Sequence, residues 1–397
     1  MRGTLKLLPI LILFPSLASL GSVLYQIHLP IEGCEHLVTL TNPGFDPLEA
    51  RISISSGGSR KTLVKVVQPG TTLRVCIDGL ADGPSLIRVE GPEALRAVYW
   101  GIRWGEPVFG APFMRGGGRS FVLGNIPTPG SRSYLLIADV PDGRGLGSLV
   151  GVRAFNRRGE VVLSERETLG EGEVRVLDLS GFGIGQAEVE ILEGEAVCAY
   201  RRVDRGGAVL SINGFPSPSG GEKLFLIPPP LRGDGRLFLA NCSEGKAGAV
   251  IRLRGEGGER SIRKLLPPKG AILLKLSDIL PLPVEVRVES RSPLASWYMP
   301  SPTIAIEPLE GEAPLLAAAL PTPISAELIL FNPSEEERVI SFGGRGKEPE
   351  TRVSLRPRSW IAREISTTSF IRSSGGVEGL ILGLKEGRPV WAVQIKR

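Results

Sequence analysis

The chain has 397 residues, of which 42% are hydrophobic and 22% charged, with 51 Gly and 33 Pro. It is too apolar for a disordered protein, and its many turn-forming residues indicate short elements joined by turns. The net charge of +5 falls to +3 without Arg2 and Lys6, and no basic run argues for a nucleic-acid partner. Arg outnumbers Lys while Asn and Gln are few, which a hot habitat or a GC-rich genome would each explain. The length predicts two to four domains.

The first 22 residues, MRGTLKLLPILILFPSLASLGS, combine a positive start, an apolar stretch and small residues near the end. This pattern is typical of a secretory signal, here cleaved near Gly21 or Ser22. A retained membrane anchor is the alternative, because the apolar run nearly reaches the length that spans a bilayer. Only the anchor would give the mature chain a membrane contact. Both interpretations place the remaining residues outside the cytoplasm, secreted or in the cell envelope.

After this segment the apolar residues alternate with period two, and no long amphipathic helix is predicted. The pattern recurs four times, and each copy opens with an apolar strand that ends at proline and reaches an Asn or Asp 11 or 12 residues later. These pairs are Pro30 and Asn42, Pro127 and Asp139, Pro229 and Asn241, and Pro321 and Asn332. Chance alternation would not keep this register, so the sequence predicts four tandem units.

Each unit has about 80 to 100 residues and six or seven short strands, which matches a β-sandwich of immunoglobulin-like size. We therefore predict an all-β fold of four tandem immunoglobulin-like β-sandwich repeats. The predicted repeats span residues 23–105, 116–214, 221–304 and 312–397. Segments rich in Gly, Pro and Ser are predicted linkers at 103–120, 213–223 and 301–314, so we expect a string of partly packed modules.

Two local patterns give finer predictions. Residues 326–342, AELILFNPSEEERVISF, stop at Asn-Pro, turn acidic and resume alternation, which predicts a β-hairpin because proline cannot donate to a sheet. A second hairpin is predicted to close each repeat. In the first repeat, alternation predicts that Val75 and Ile77 face the core with Leu73, while Arg74, Cys76 and Asp78 face solvent.

With these features the chain resembles the tandem immunoglobulin-like sandwich proteins of prokaryotic cell surfaces. The resemblance covers the four copies and rests on their pattern, since the Cys, Trp, Cys spacing of immunoglobulin domains is absent. It implies a structural or adhesive role at the surface, with self-association or other cell-surface proteins as partners. The apolar strand SVLYQIHLPI, residues 22–31, is the predicted segment for joining subunits by strand addition.

The search for catalytic chemistry finds no convergent set of residues. The two histidines, His28 and His36, have strand-like flanks and are interpreted as sheet-surface or turn residues rather than metal ligands. The glycine-rich GFGIGQ at 181–186 precedes a strand, whereas a phosphate loop opens a helix. We therefore expect no enzymatic activity, no metal and no cofactor.

Cysteines and aromatic residues supply the remaining candidates. In an exported chain, Cys34 with Cys76 and Cys198 with Cys242 are predicted disulfides, with free buried thiols as the alternative. Aromatic residues recur near the ends of the copies, where a core role is the first interpretation. The alternative function is carbohydrate binding, because outward-facing rings could stack on a polysaccharide. The residues predicted for this platform are Trp100, Trp104 and Tyr298.

Overall fold

The chain forms short antiparallel strands because apolar residues alternate along it and Pro or Gly interrupts each run. The computed structural model describes residues 21–395 except 117, 142–144, 217, 233, 256, 310–312, 319, 322–324, 344–350, 366–368 and 386–387. The predicted signal or anchor therefore lies outside the described residues, apart from its last two positions. The described residues contain no α-helix, only 3-10 turns at Pro229–Leu231 and Leu276–Asp278. Nor do they contain a helix with the length and hydrophobicity needed to cross a membrane.

Repeat 1 is a sandwich of two antiparallel sheets. Its strands are β1 (Ser22–His28), β2 (Glu35–Asn42), β3 (Leu48–Ser56), β4 (Ser59–Val67), β5 (Thr71–Cys76), β6 (Ser85–Gly91), β7 (Arg96–Arg103), β8 (Glu106–Pro112) and β9 (Met114–Arg115). The first sheet has the order β4-β3-β6-β1-β9 and the second sheet β5-β2-β7-β8. Ile52 and Ile87 of the first sheet pack with Val38 and Leu40 of the second, which forms the core.

Repeat 2 has the same plan. Its strands are β10 (Ser120–Asn125), β11 (Arg132–Asp139), β12 (Ser148–Asn156), β13 (Val161–Leu169), β14 (Val174–Asp178), β15 (Gly185–Glu193), β16 (Ala196–Val203), β17 (Val209–Asn213) and β18 (Phe215–Pro216). The first sheet runs β13-β12-β15-β10-β18 and the second β14-β11-β16-β17, so each strand takes the place of its counterpart in repeat 1.

Repeat 3 has the same plan but lacks the short last strand that β9 and β18 form in repeats 1 and 2. Its strands are β19 (Gly221–Leu226), β20 (Arg236–Asn241), β21 (Ala247–Gly255), β22 (Gly258–Leu266), β23 (Ala271–Lys275), β24 (Pro283–Ser290), β25 (Leu294–Ser301) and β26 (Ile304–Ile306). The first sheet runs β19-β24-β21-β22 and the second β23-β20-β25-β26. A single antiparallel bridge between Leu224 and Leu309 takes the place of that short strand.

Repeat 4 shares one long strand between its two sheets. Its strands are β27 (Ala313–Ala318), β28 (Ala326–Asn332), β29 (Arg338–Gly343), β30 (Thr351–Leu355), β31 (Ser359–Ile365), β32 (Ser369–Lys385) and β33 (Arg388–Ile395). The first part of β32 pairs with β29 and β27, and its second part pairs with β28 and β33. The all-β fold of four sandwich repeats predicted from the sequence is confirmed.

The predicted hairpins are mostly crossovers between the sheets. The segment 326–342 forms β28 and β29, but β28 pairs with β31 and β32, whereas β29 pairs with β30 and β32. The strands that close repeat 1, β6 and β7, likewise lie in different sheets. These hairpin predictions are wrong because alternation shows that a strand has a buried face but not which neighbour it pairs with. Only β32 and β33 form the closing hairpin that was predicted.

The recurring Asn fixes the first crossover of each repeat. Asn241 is fully buried, and its Nδ2 donates to Gly245 O and to Pro267 O, each at 2.7 Å. Its Oδ1 accepts the backbone N–H of Ser243 at 3.0 Å. One amide thus satisfies backbone groups of the crossover and of the turn after β22, which would otherwise be buried unpaired. The amides of Asn42 and Asn332 make the corresponding bonds in repeats 1 and 4.

Repeat 2 uses Asp139 in the same place with the opposite hydrogen-bonding sense. Its Oδ2 accepts the backbone N–H of Gly172 at 2.8 Å, and its Oδ1 accepts the hydroxyl of Ser148 at 2.5 Å. A carboxylate can only accept, so the turn here presents donors where the other repeats present carbonyl oxygens. The Asn or Asp noted in the sequence is therefore a structural residue. Asn occurs where the turn presents carbonyl oxygens, and Asp occurs where it presents donors.

The outer faces of the sheets are also apolar, and repeat packs on repeat through them. Strands β11 and β16 are buried along almost their whole length, so both of their faces are covered. Tyr25 and Ile27, on the outer face of the first sheet of repeat 1, pack against Leu136 and Ala199 of the second sheet of repeat 2. Burial of such faces stabilises by about 25 cal/mol per Å² of apolar surface.

The same kind of contact recurs along the chain. Between repeats 2 and 3 the sheets approach closely, because a Cβ on Gly124 would lie 2.9 Å from the Phe238 ring. Gln186 Nε2 donates across this interface to the backbone oxygens of Asn241 (2.8 Å) and Lys269 (2.9 Å). The side chains of repeat 4 that join the apolar cluster of repeat 3 are Ile329, Phe331, Leu380 and Leu382.

Repeat 4 then packs back onto repeat 1, which closes the set. The indole rings of Trp100 and Trp391 meet edge to face with their centroids 5.5 Å apart, and a Cβ on Gly110 would lie 2.1 Å from Val393 Cγ2. One edge strand from each repeat takes part in a circle of contacts: β8 with β17, β17 with β26, β26 with β33, and β33 with β8. The predicted string of modules is therefore wrong, because the first and last repeats touch.

Two further predictions are corrected. Strand β8 lies beyond residue 105, inside a predicted linker, yet it pairs with β7 and belongs to the second sheet of repeat 1. Strand β1, predicted to be available for strand addition, is paired on both sides, with β6 and with β9. The predicted facing of β5 is confirmed, since Val75 and Ile77 are buried while Cys76 and Asp78 face outward.

Candidate functional site

A cleft of about 920 Å³ lies between repeats 1 and 2, at the turn that joins β7 and β8. Trp104 and Gly105 both have positive φ, 51° and 81°, so the chain reverses sharply and the indole of Trp104 projects into solvent, 95% exposed. Arg103 donates from Nη1 to Gly206 O (3.4 Å) and from Nη2 to Glu32 O (3.1 Å), which joins the two walls. The charged residues of the lining are Glu32, Arg103, Arg132, Asp204 and Arg205.

Of the three predicted stacking residues, only Trp104 offers its ring to a ligand. Trp100 is 0% and Tyr298 2% exposed. The Trp100 ring packs on repeat 4 and its Nε1 donates to Thr39 Oγ1 at 3.0 Å. The Tyr298 hydroxyl donates to Leu231 O at 2.6 Å inside repeat 3. The predicted platform is wrong for these two residues, because a neighbouring repeat covers one ring and a sandwich core the other.

All four cysteines are free thiols, so the predicted Cys34–Cys76 and Cys198–Cys242 bridges are not formed. Cys76 is exposed, whereas Cys34 is half-buried with Arg103 Nη2 3.5 Å from its Sγ. Cys198 lies in the core of repeat 2, where burial raises the pKa of its thiol. Burial also raises the pKa of the Cys242 thiol to about 12. The alternative prediction of free buried thiols therefore holds for Cys198, whereas Cys76 is free but exposed.

A buried polar cluster lies beside the cleft, at one end of the sandwich of repeat 1. His28 ends β1 and His36 lies in β2, and each is 1% exposed, so the prediction of surface histidines is wrong. His28 Nδ1 is 2.7 Å from the hydroxyl oxygen of Tyr99, and His36 Nδ1 is 2.8 Å from Asp78 Oδ1. The backbone N–H of His36 donates to Asp78 Oδ2 at 2.7 Å. The two imidazole rings meet edge to face, 4.9 Å between centroids.

Strand register brings these side chains together. Side chains two apart in a strand share a face, so His36 lies on the same face of β2 as Val38 and Leu40, which are in the core. On β1, His28 shares its face with Leu24, another core residue. Sequence reasoning missed the cluster because it judged the histidines by their flanks. The period-two spacing from core residues was the signal that would have found them.

The surroundings of the cluster keep both imidazoles neutral. Burial, together with the neighbouring His36, lowers the pKa of His28 to about 3. Burial also lowers the pKa of His36, although its hydrogen bond to Asp78 acts in the opposite direction. The fully buried guanidinium of Arg201, contributed by repeat 2, adds positive charge nearby and so also lowers both pKa values. Both rings are therefore unprotonated at pH 7.

The cluster has the composition of a small metal site. His28, His36 and Asp78 each offer one ligand atom, and these atoms lie within 4.8 Å of one another. Neutral imidazole nitrogens and a carboxylate oxygen are ligands that divalent transition metals accept. The Trp104 ring, by contrast, provides a flat apolar face for stacking at the rim of the cleft. The loop at residues 29–33, which directly follows His28, lines the cleft together with Trp104.

Comparisons with known proteins add little to this geometry. No protein-family model matches the chain, and no curated protein matches it. Among solved structures, a tetra-tandem repeat in the extending region of a large adhesion protein matches at 10% identity, covering 94% of this chain and 98% of that chain, with a TM-score of 0.14. At that TM-score the similarity carries no argument about fold or function.

Proposed function

We propose that this protein is a non-enzymatic structural or adhesive element, secreted or held in the cell envelope. The observation that carries the proposal is the closed packing of four sandwich repeats, in which Trp391 of the last repeat meets Trp100 of the first. Packing of this kind joins the repeats into one body, which suits a protein that bears load or presents surfaces. The secretory pattern of residues 1–22 supports an extracytoplasmic location.

Self-association is the proposed mode of assembly, through outer strands rather than through β1. Strands β4 and β22 end their sheets and are exposed on both faces over most of their length. Such an edge presents unpaired backbone groups to another chain. Exposed Val64 and Val66 on β4, 52% and 53% exposed, would be covered by an added strand. Lys61 and Lys65 on the same strand limit uncontrolled pairing.

Localisation and assembly are tested together on the source cells. Antibodies against the chain should label intact cells or appear in the culture medium, and electron microscopy should show a filament or lattice. The substitutions Val64→Lys and Val66→Lys should weaken assembly of the purified chain in sedimentation velocity. Labelling only after the cells are opened, or a monomer at every concentration, refutes the proposal.

Carbohydrate binding is the second candidate, and the exposure of Trp104 beside a charged cleft favours it. The indole would stack on a sugar ring while Arg132 or Arg205 bonds its hydroxyls. A glycan array with the intact chain tests this. Trp104→Ala should abolish the signal, whereas Phe45→Ala, which removes another exposed aromatic ring (69% exposed), should not. An array with no binding at any concentration removes this candidate.

A further inference from the structure

We propose that His28, His36 and Asp78 form a binding site for one zinc ion in repeat 1. Their ligand atoms lie within 4.8 Å of one another. In a tetrahedral zinc site with bonds of about 2.0–2.2 Å, ligand atoms are about 3.3 Å apart. Side-chain movements of about 1 Å therefore bring the three groups to coordinating distance, and the strands that carry them need not move.

The hydrogen bonds of the cluster already prepare one imidazole for a metal. Asp78 Oδ1 lies 2.8 Å from His36 Nδ1, so two of the ligand atoms already lie side by side. A zinc ion bound there would take the place of the proton that these two atoms share, since metal binding displaces protons from its ligands.

The local charges permit a divalent cation. The carboxylate of Asp78 lies beside the two imidazoles, and it is an oxygen ligand that divalent cations accept. The guanidinium of Arg201 opposes a cation here; it donates from Nη2 to Gln26 Oε1 at 3.0 Å and lies over the Phe109 ring. Entry is open because the Asp78 side chain is 36% exposed while the histidines are buried.

Zinc at this site would tie together parts of the chain that are distant in sequence. His28 belongs to the first sheet of repeat 1 and His36 to the second, while Asp78 follows β5. A bound ion would therefore clamp the two sheets at the end that adjoins the cleft. The expected role is structural, because binding to the folded chain alone raises its stability by mass action.

The test is zinc binding by the full, untagged chain, measured by competition with a chromogenic chelator. We expect one zinc per chain. His36→Asn should weaken binding by more than about 100-fold, beyond the loss expected for a group that only orients a ligand. Because the chain has two histidines, both imidazole signals in a nitrogen–proton spectrum of the wild type should shift on adding one equivalent of ZnCl₂. This second measurement does not depend on a variant that folds.

Cysteines also bind zinc, so the control is a chain with Cys34→Ser and Cys76→Ser. That chain should keep its zinc affinity within about threefold, well below the effect of losing a ligand. Asp78→Asn should keep the fold, checked by near-ultraviolet circular dichroism, and lose affinity. Three results overturn the proposal: no binding by the wild type, imidazole signals that do not move, or binding that follows the cysteines and survives His36→Asn.

Discussion

The contact between the first and last repeats makes the sharpest prediction, because a string of modules would lack it. Trp391 is 3% exposed and packs on Gly383 of its own repeat as well as on Trp100 of repeat 1. Replacing a buried Trp by Ala typically costs about 3–5 kcal/mol. Trp391→Ala should therefore lower the free energy of unfolding by that amount. The matched control is Trp104→Ala, which should change it by less than about 0.5 kcal/mol because that ring is exposed.

The single substitution does not separate the contact between repeats from packing within repeat 4. A double-mutant cycle with Trp100→Ala does, since only the coupling of the two rings survives the subtraction. An edge-to-face aromatic pair contributes about 0.5–1.5 kcal/mol beyond the area it buries, so the coupling should be at least that large. Urea unfolding should be followed by far-ultraviolet circular dichroism, because fluorescence changes when a Trp is removed. In the wild type, repeat 1 and repeat 4 should unfold together in a single transition.

A coupling free energy of zero within about 0.3 kcal/mol would refute the closure of the repeats. So would separate unfolding of repeat 1 and repeat 4 in the wild type, detected by proteolysis at intermediate urea.

Three other predictions follow from buried groups. Asn241→Asp should cost about 3 kcal/mol or more, because a carboxylate would face two carbonyl oxygens that now receive hydrogen bonds. The reciprocal Asp139→Asn should also destabilise the chain. If both variants are as stable as wild type in urea, these side chains do not have the proposed structural role. Arg201→Met should keep the free energy of unfolding within about 1 kcal/mol of wild type, since a hydrophobic side chain can replace a buried charge. Arg201→Ala should lower it by about 3 kcal/mol. A lower urea midpoint for Arg201→Met than for Arg201→Ala would count against this. Iodoacetamide should label Cys76 in the native chain and Cys198 only after unfolding, as mapped by mass spectrometry, and rapid native labelling of Cys198 would be inconsistent with its burial.

The sequence by itself determined the all-β class, the fourfold repeat and the inward face of many strands. It did not determine their number, because six or seven strands were predicted per repeat and repeats 1 and 2 have nine. Period-two alternation reports burial of one face, so Val75 and Ile77 were placed correctly in the core. The recurring Asn and Asp were also visible, although their hydrogen bonds were not. Free cysteines and a core role for most aromatic residues remained open alternatives at that level.

Only the tertiary structure decided what pairs with what. Alternation cannot distinguish a hairpin from a crossover, so β28 and β29 were joined wrongly, and it cannot show that Trp100 meets a repeat almost 300 residues away in the chain. The burial of His28 and His36 was missed for the same reason, because two strands of opposite sheets create that environment. These contacts depend on positions far apart in sequence, which local patterns do not encode.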